Sequence, residues 1–215
     1  MIILSHRGYW KQIEERNSPE AFHRSFSLGF GTELDVRDYG GRLVVSHDPA
    51  DSSSLDFESF LKIYCYYDKE LYIAINVKAD GLQPLLLGML RVFDINNYFV
   101  FDMSIPDALG YLKCRMKTFT RESEFEINPA YYEQAEGIWM DEFNGHWITS
   151  ERINYHLNNG KKVCIVSPEL HGRPHLPAWK DYRLPVDASW VDDLMLCTDF
   201  PEEARRYFYD QCDYF

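Results

Sequence analysis

The chain has 215 residues, comfortably within the range of one domain, and no composition shift or long linker marks a second core. With 46% hydrophobic and 26% charged residues it falls outside the disordered and fibrous classes. A formal net charge of −12 and the lack of any basic run weigh against a nucleic-acid partner, so an anionic substrate has to be attracted locally, by a bound cation or a few Arg and Lys side chains.

From the N-terminus, β-branched and aromatic runs alternate with amphipathic segments. A strand is expected at 2–6, then a helix at 19–28, whose first turn carries Ser18-Pro19-Glu20. The second strand, 32–36, is followed by Gly40-Gly41 and a short run at 43–46, which reads as a hairpin delivering His47 to the strand ends. The series continues with helix 57–66, strand 72–77, helix 84–93, strand 98–103 and helix 106–114. After these come strand 116–120, helix 128–134, strand 137–140 and helix 149–158, closed by Asn159-Gly160 as a left-handed cap. Strand 162–166, helix 174–182, strand 194–198 and helix 201–209 complete it. Eight such pairs predict an α/β protein with a parallel sheet: a single, minimal (β/α)8 TIM barrel over residues 1–215, with short loops and no inserted lid.

Five cysteines, Cys65, Cys114, Cys164, Cys197 and Cys212, show no CxxC spacing and read as free thiols. The chain opens directly on Met1-Ile2-Ile3-Leu4-Ser5-His6, with no basic segment leading into a long apolar one and no run long enough for a membrane helix. A reducing, cytoplasmic setting without a membrane anchor is therefore expected.

Barrels of this kind carry function at the C-terminal ends of their strands. Those ends read His6-Arg7, Glu33-Leu34-Asp35, His47-Asp48, Asn76-Val77-Lys78, Asp102, Arg121-Glu122, Asp141-Glu142, Ser167-Pro168-Glu169 and Thr198-Asp199. Strand side chains alternate, so Glu33 and Asp35 share the inward face while Leu34 and Val36 face the helices, and Asn76 and Lys78 pair in the same way. Two inward carboxylates repel each other and are costly to desolvate unless a cation offsets them. Carboxylate and amide oxygens are hard ligands, so one divalent cation, Mg²⁺ or Ca²⁺, is expected on Glu33, Asp35 and Asn76. His6 and His47 can divide the proton transfers, and Arg7 and Lys78 can hold non-bridging phosphate oxygens. The remaining histidines, His23, His146, His156, His171 and His175, read as structural or surface residues, and Trp10 and Trp139 as packing.

The segments Ser5-His6-Arg7-Gly8, Asn17-Ser18-Pro19-Glu20-Ala21-Phe22, Gly31-Thr32-Glu33-Leu34-Asp35-Val36 and Val44-Val45-Ser46-His47-Asp48 together resemble the glycerophosphodiester phosphodiesterase family. The resemblance is strong over the first 50 residues and recurs at Asn76-Val77-Lys78 and Thr198-Asp199. It implies His6 and His47 as general acid and base, Glu33 and Asp35 as metal ligands, and Arg7 and Lys78 as phosphate contacts. It also implies cleavage of a small phosphodiester through attack by a neighbouring hydroxyl, with a cyclic phosphate that can then be hydrolysed. Three features depart from the family's pattern. Asn76 stands where a Glu usually completes the metal site, Arg16 stands where the motif before Ser18 usually has Glu, and the insertion that usually follows the HD motif is missing. A phospholipid-cyclising lyase of the same barrel superfamily and a catalytically weak phosphodiester-binding protein are the alternatives.

Overall fold

In a computed structural model the alternation of short apolar runs and amphipathic segments becomes an alternation of strands and helices; residues 1–67, 70–183 and 192–209 are described. The elements in chain order are β1 (Ile2–Ser5), α1 (Pro19–Ser27), β2 (Gly31–Tyr39), β3 (Arg42–Val45), β4 (Leu55–Asp56), α2 (Phe57–Tyr66), β5 (Ile73–Val77), α3 (Gln83–Val92), β6 (Tyr98–Phe101) and α4 (Ile105–Lys113). They continue as β7 (Phe119–Ser123), β8 (Gly137–Asp141), α5 (Ser150–Asn158), β9 (Lys162–Val166), α6 (Leu176–Tyr182), β10 (Leu194–Thr198) and α7 (Pro201–Tyr209). The described chain forms two compact units, Ser5–Thr118 and the remainder.

In the Ser5–Thr118 unit, β2 pairs in parallel with β5 and β5 with β6. On its other side β2 pairs antiparallel with β3, and β3 with the two-residue β4, a strand the sequence did not suggest. The Gly40-Gly41 turn takes left-handed φ values of 57° and 79°, as a tight hairpin requires. Ser18 caps α1 by accepting from the Ala21 N–H, with Pro19 at the first helical position. The buried face of α1 meets α2 through aromatic rings, Phe22 on Phe60 at 4.7 Å and Phe26 on Tyr64 at 5.4 Å. Each ring buried in this way is worth about 1.5–3 kcal/mol of hydrophobic stabilisation.

In the other unit, β10, β9, β8 and β7 run parallel in that order, with residues 2–4 of β1 beside β10. Gly137 is required in β8: a Cβ there would lie 2.4 Å from the Phe119 ring on one side and 2.6 Å from the Lys162 carbonyl oxygen on the other. Asn159 and Gly160, the latter at φ 71°, close α5 as expected.

The fold is therefore α/β, mostly parallel and TIM-barrel-like, with three departures from the expected (β/α)8 pattern. Seven α-helices form among the described residues, because 128–134 makes only a turn: Tyr131 is left-handed at φ 46°, and the Gln134 and Ala135 N–H groups both donate to its carbonyl. The strand expected at 116–120 begins only at Phe119. Residues 114–116 are still ending α4, with Arg115 at φ 55° and the Met116 N–H returning to the Tyr111 carbonyl, so Arg121 and Glu122 lie inside β7 and not beyond it. In consequence, among the described residues the parallel pairing after β6 is reduced to the bridge Val100↔Thr118, and the sheet is not closed into an eight-stranded ring.

Cys164 and Cys197 are buried free thiols and Cys65 and Cys114 half-buried ones, while Cys212 lies outside the described residues. No helix among the described residues is long and apolar enough to cross a membrane.

Candidate active site

The turn after β1 is held by hydroxyls. Ser5 Oγ sits 2.6 Å from Ser25 Oγ and donates to Thr32 Oγ1 at 3.1 Å, and the Gly8 N–H donates to the same Thr32 oxygen at 3.1 Å. Gly8, at φ 78°, lies so close to α1 that a Cβ would be 2.7 Å from that of Ala21. The left-handed turn at Arg7, φ 56°, brings its N–H to Glu33 Oε2 at 3.1 Å and its Nε within 2.9 Å of Asp35 Oδ2. Asn17, also left-handed at φ 59°, donates its N–H to the Arg7 carbonyl and its Nδ2 to Asp35 Oδ2, both at 2.9 Å. The HRG stretch and Asn17 thus converge on the carboxylates of β2.

Register supplies the other side. Asp35 pairs with Asn76 and Val36 with Val77, and the Lys78 N–H donates to the Val36 carbonyl at 2.9 Å. Alternation then places Glu33, Asp35, Asn76 and Lys78 on one face and the buried Leu34, Val36, Ile75 and Val77 on the other. Lys78 Nζ donates to Asp102 Oδ2 at 2.8 Å and stands 3.7 Å from Asp35 Oδ1. Asp102 ends β6 at φ 71°. Non-glycine residues rarely adopt such angles, and three of the six described here, Arg7, Asn17 and Asp102, touch this cluster.

His6 follows β1 directly and is half-buried. His47 follows β3, where the Ser46 N–H donates to the Asp35 carbonyl at 3.0 Å and so returns the hairpin to the level of the carboxylates. Its side chain is 46% exposed, with Nδ1 2.9 Å from Asp48 Oδ1, and its carbonyl accepts from Arg37 Nε at 3.0 Å.

Glu33 and Asp35 are both fully enclosed. Burial pushes the Glu33 carboxyl up to about 7, the neighbouring Asp35 charge adds to the rise, and the positive charges of His6, Arg7 and Lys78 oppose it. Two oxygens of this strand face, Asp35 Oδ1 and Asn76 Oδ1, are buried without a hydrogen-bond partner, as is Oδ1 of the adjoining Asn17. An orphaned buried oxygen costs about 1–3 kcal/mol, which a hard cation would offset. Among the described residues no three His, Cys, Asp or Glu side chains gather as a metal-binding group, the third oxygen donor on this face being the amide of Asn76. The donor set fits a hard divalent cation held mainly by two carboxylates, with Arg7 and Lys78 already screening Asp35.

Other polar strand ends do structural work. Glu122 binds the fully buried His156 at 2.6 Å and Arg152 at 2.9 Å, and Tyr132 donates or accepts at the other His156 nitrogen at 3.0 Å. Glu142 accepts from the Trp147 and Ile148 N–H groups and from the Tyr182 hydroxyl, which orders the turn after β8. His146 bridges Glu142 and Asp181, and Asp141 holds His171 at 2.6 Å. His23 meets the Tyr67 hydroxyl and His175 meets Glu203. The Thr198 hydroxyl donates to Glu169, which also accepts from the Asp199 N–H. Arg121 pairs with Glu126, Arg16 stacks over the Trp10 ring at 4.4 Å, and Trp139 is buried.

No protein-family model and no curated protein matches the sequence. Solved structures do. A Galdieria sulphuraria protein provisionally assigned as a glycerophosphodiester phosphodiesterase superposes with a TM-score of 0.73 at 16% identity, over 96% of this chain and 97% of that one. An Oleispira antarctica phosphodiesterase in complex with the product sn-glycerol-3-phosphate gives 0.69 at 15% identity over 95% of each chain. The glycerophosphodiester phosphodiesterase of Agrobacterium tumefaciens gives 0.67 at 14% identity, over 94% of this chain and 97% of that one. The fold is that of the glycerophosphodiester phosphodiesterases. In barrel folds a site is expected where the parallel strands end, and here the end of the parallel pairing of β2 with β5 carries Glu33, Asp35, Asn76 and Lys78.

Proposed function

We propose that this protein is a phosphoric diester hydrolase that cleaves a small, glycerophosphodiester-like substrate. The observation that carries the reading is the enclosed Glu33–Asp35 pair, flanked by Arg7, Lys78 and Asn76 and left with two unpartnered oxygens. Glu33, Asp35 and Asn76 would hold one Mg²⁺ or Ca²⁺, which when bound screens phosphate charge and stabilises charge developing on the phosphoryl oxygens. Arg7 and Lys78 orient non-bridging oxygens. One of His6 and His47 removes the proton from the attacking hydroxyl of the substrate and the other protonates the departing alkoxide. The product-bound Oleispira neighbour supports a glycerol phosphate as one half of the diester.

The test is turnover of a panel of glycerophosphodiesters and bis-p-nitrophenyl phosphate with Mg²⁺, Ca²⁺ or Mn²⁺, followed by ³¹P NMR. Cleavage is expected, and His6→Ala and His47→Ala should each lower kcat about 10²–10⁴-fold with little change in melting temperature. An intact panel, or full activity in both variants, overturns the proposal. Accumulation of a cyclic phosphate as the final product would move the assignment to a cyclising lyase.

The amide at position 76 and the Arg7–Asp35 ion pair favour a second reading, a phosphodiester-binding protein with weak turnover. Asn76→Glu separates the two: a joint gain in cation affinity and turnover marks a weakened enzyme, and unchanged inactivity marks a binding role.

A further inference from the structure

Lys78 has two carboxylates within reach and makes its hydrogen bond to only one of them. Its ammonium donates to Asp102 at 2.8 Å, whereas Asp35 Oδ1 stands at 3.7 Å and keeps no hydrogen-bond partner although it is buried. In a site screened from water, a small swing of the ammonium would close that gap and neutralise the Asp35 oxygen. Asp102 opposes the swing. It is only about a fifth exposed, follows the last residue of β6 at a left-handed φ of 71°, and engages the ammonium at the shorter of the two distances.

We propose that Asp102 is a positioning residue: by holding the Lys78 ammonium away from Asp35 it keeps Asp35 Oδ1 open to a divalent cation. Asn76 gives the proposal its physical weight. With an amide on β5, two carboxylates supply the charge of the cation site; Asp35 Oδ2 is already paired with Arg7, and engagement of Oδ1 by Lys78 as well would leave Glu33 to carry the site alone. The third carboxylate of the cluster comes from β6 and acts through Lys78. The inference rests on the cation-site reading given above.

Calorimetric titration with Mg²⁺ and with Ca²⁺ tests it without any substrate, on the wild type, Asp102→Asn, Lys78→Met and the double variant. Asn and Gly both tolerate left-handed backbone, so Asp102→Asn should fold, and Asp102→Gly serves as a second probe of the same loss. Either substitution is expected to weaken cation binding about tenfold, as for contacting charges that act as a unit. Lys78→Met should bind at least as tightly as the wild type, and the double variant should match Lys78→Met, because the proposed effect of Asp102 on the cation site passes through the ammonium. Wild-type affinity in Asp102→Asn and Asp102→Gly overturns the positioning role alone, as does an equal loss with and without Lys78. A wild type that binds neither cation overturns the cation site itself and this inference with it.

Discussion

Asp35 and Asn76 face each other across β2 and β5, and each keeps a buried oxygen without a hydrogen bond. Glu33, one step along the same face, is the group whose protonation should report on this arrangement. Its carboxyl is raised from an ordinary value of 4.5 to about 7, so the folded state holds its proton more tightly than the unfolded chain does. The stabilisation this gives is complete below the unfolded value and is lost as pH rises through the folded one. Without divalent cation, the melting temperature of the wild type should therefore fall relative to that of Glu33→Gln between pH about 5 and about 8. Adding Mg²⁺ or Ca²⁺ at the upper end should restore it in the wild type only; parallel melting curves in the two proteins would refute this. At this scale the shared face of Glu33 and Asp35 and that of Asn76 and Lys78 were legible from strand alternation, as was the position of His6, Arg7 and His47 just beyond β1 and β3, although β2 itself runs on to Tyr39. The Lys78 contact to Asp102 was not: a residue at the end of one strand says nothing about which cation on the next will reach it.

Strands and helices were legible where the local signal had no competitor. Helix α2 and strands β9 and β10 have the expected limits, since a capping Asp56 or a continuous apolar run defines each. The segment 128–134 had the composition of a helix but not the length, and with Tyr131 left-handed only the single turn closed by the Gln134 and Ala135 N–H groups on its carbonyl forms. The beginning of β7 was misplaced because Met116 is apolar enough to read as strand while its N–H is engaged in closing α4. Gly137 offers a test of packing at this scale. Gly137→Ala would press a methyl group against the Phe119 ring and the Lys162 carbonyl of the neighbouring strands. A loss of about 1–3 kcal/mol is expected, each kcal/mol lowering the melting temperature by about 2–4 °C in a domain of this size. An unchanged thermal melt would mean that the two neighbouring strands yield at no cost.

For the molecule as a whole, charge makes the clearest prediction. A net charge of −12 repels polyanions at long range, so the protein should pass unretained through immobilised heparin at low salt and should not shift duplex DNA in a gel, while still binding a small diester. Retention released by salt would show a basic surface that the net charge conceals.

The sequence by itself determined the alternating α/β order, the parallel sense of most of the sheet, the facing of Glu33 and Asp35, and the hairpin that returns His47. Each follows from periodicities of two and 3.6 residues and from turn chemistry, which act within a few residues. Tertiary structure decided what depends on residues far apart in the chain. Register set Asp35 opposite Asn76, the close approach of α1 demanded Gly8, and the left-handed end of β6 placed Asp102 on Lys78 and left Asp35 Oδ1 open. These outcomes turn on ångström differences in distance and direction between segments, and no local pattern of residues encodes them.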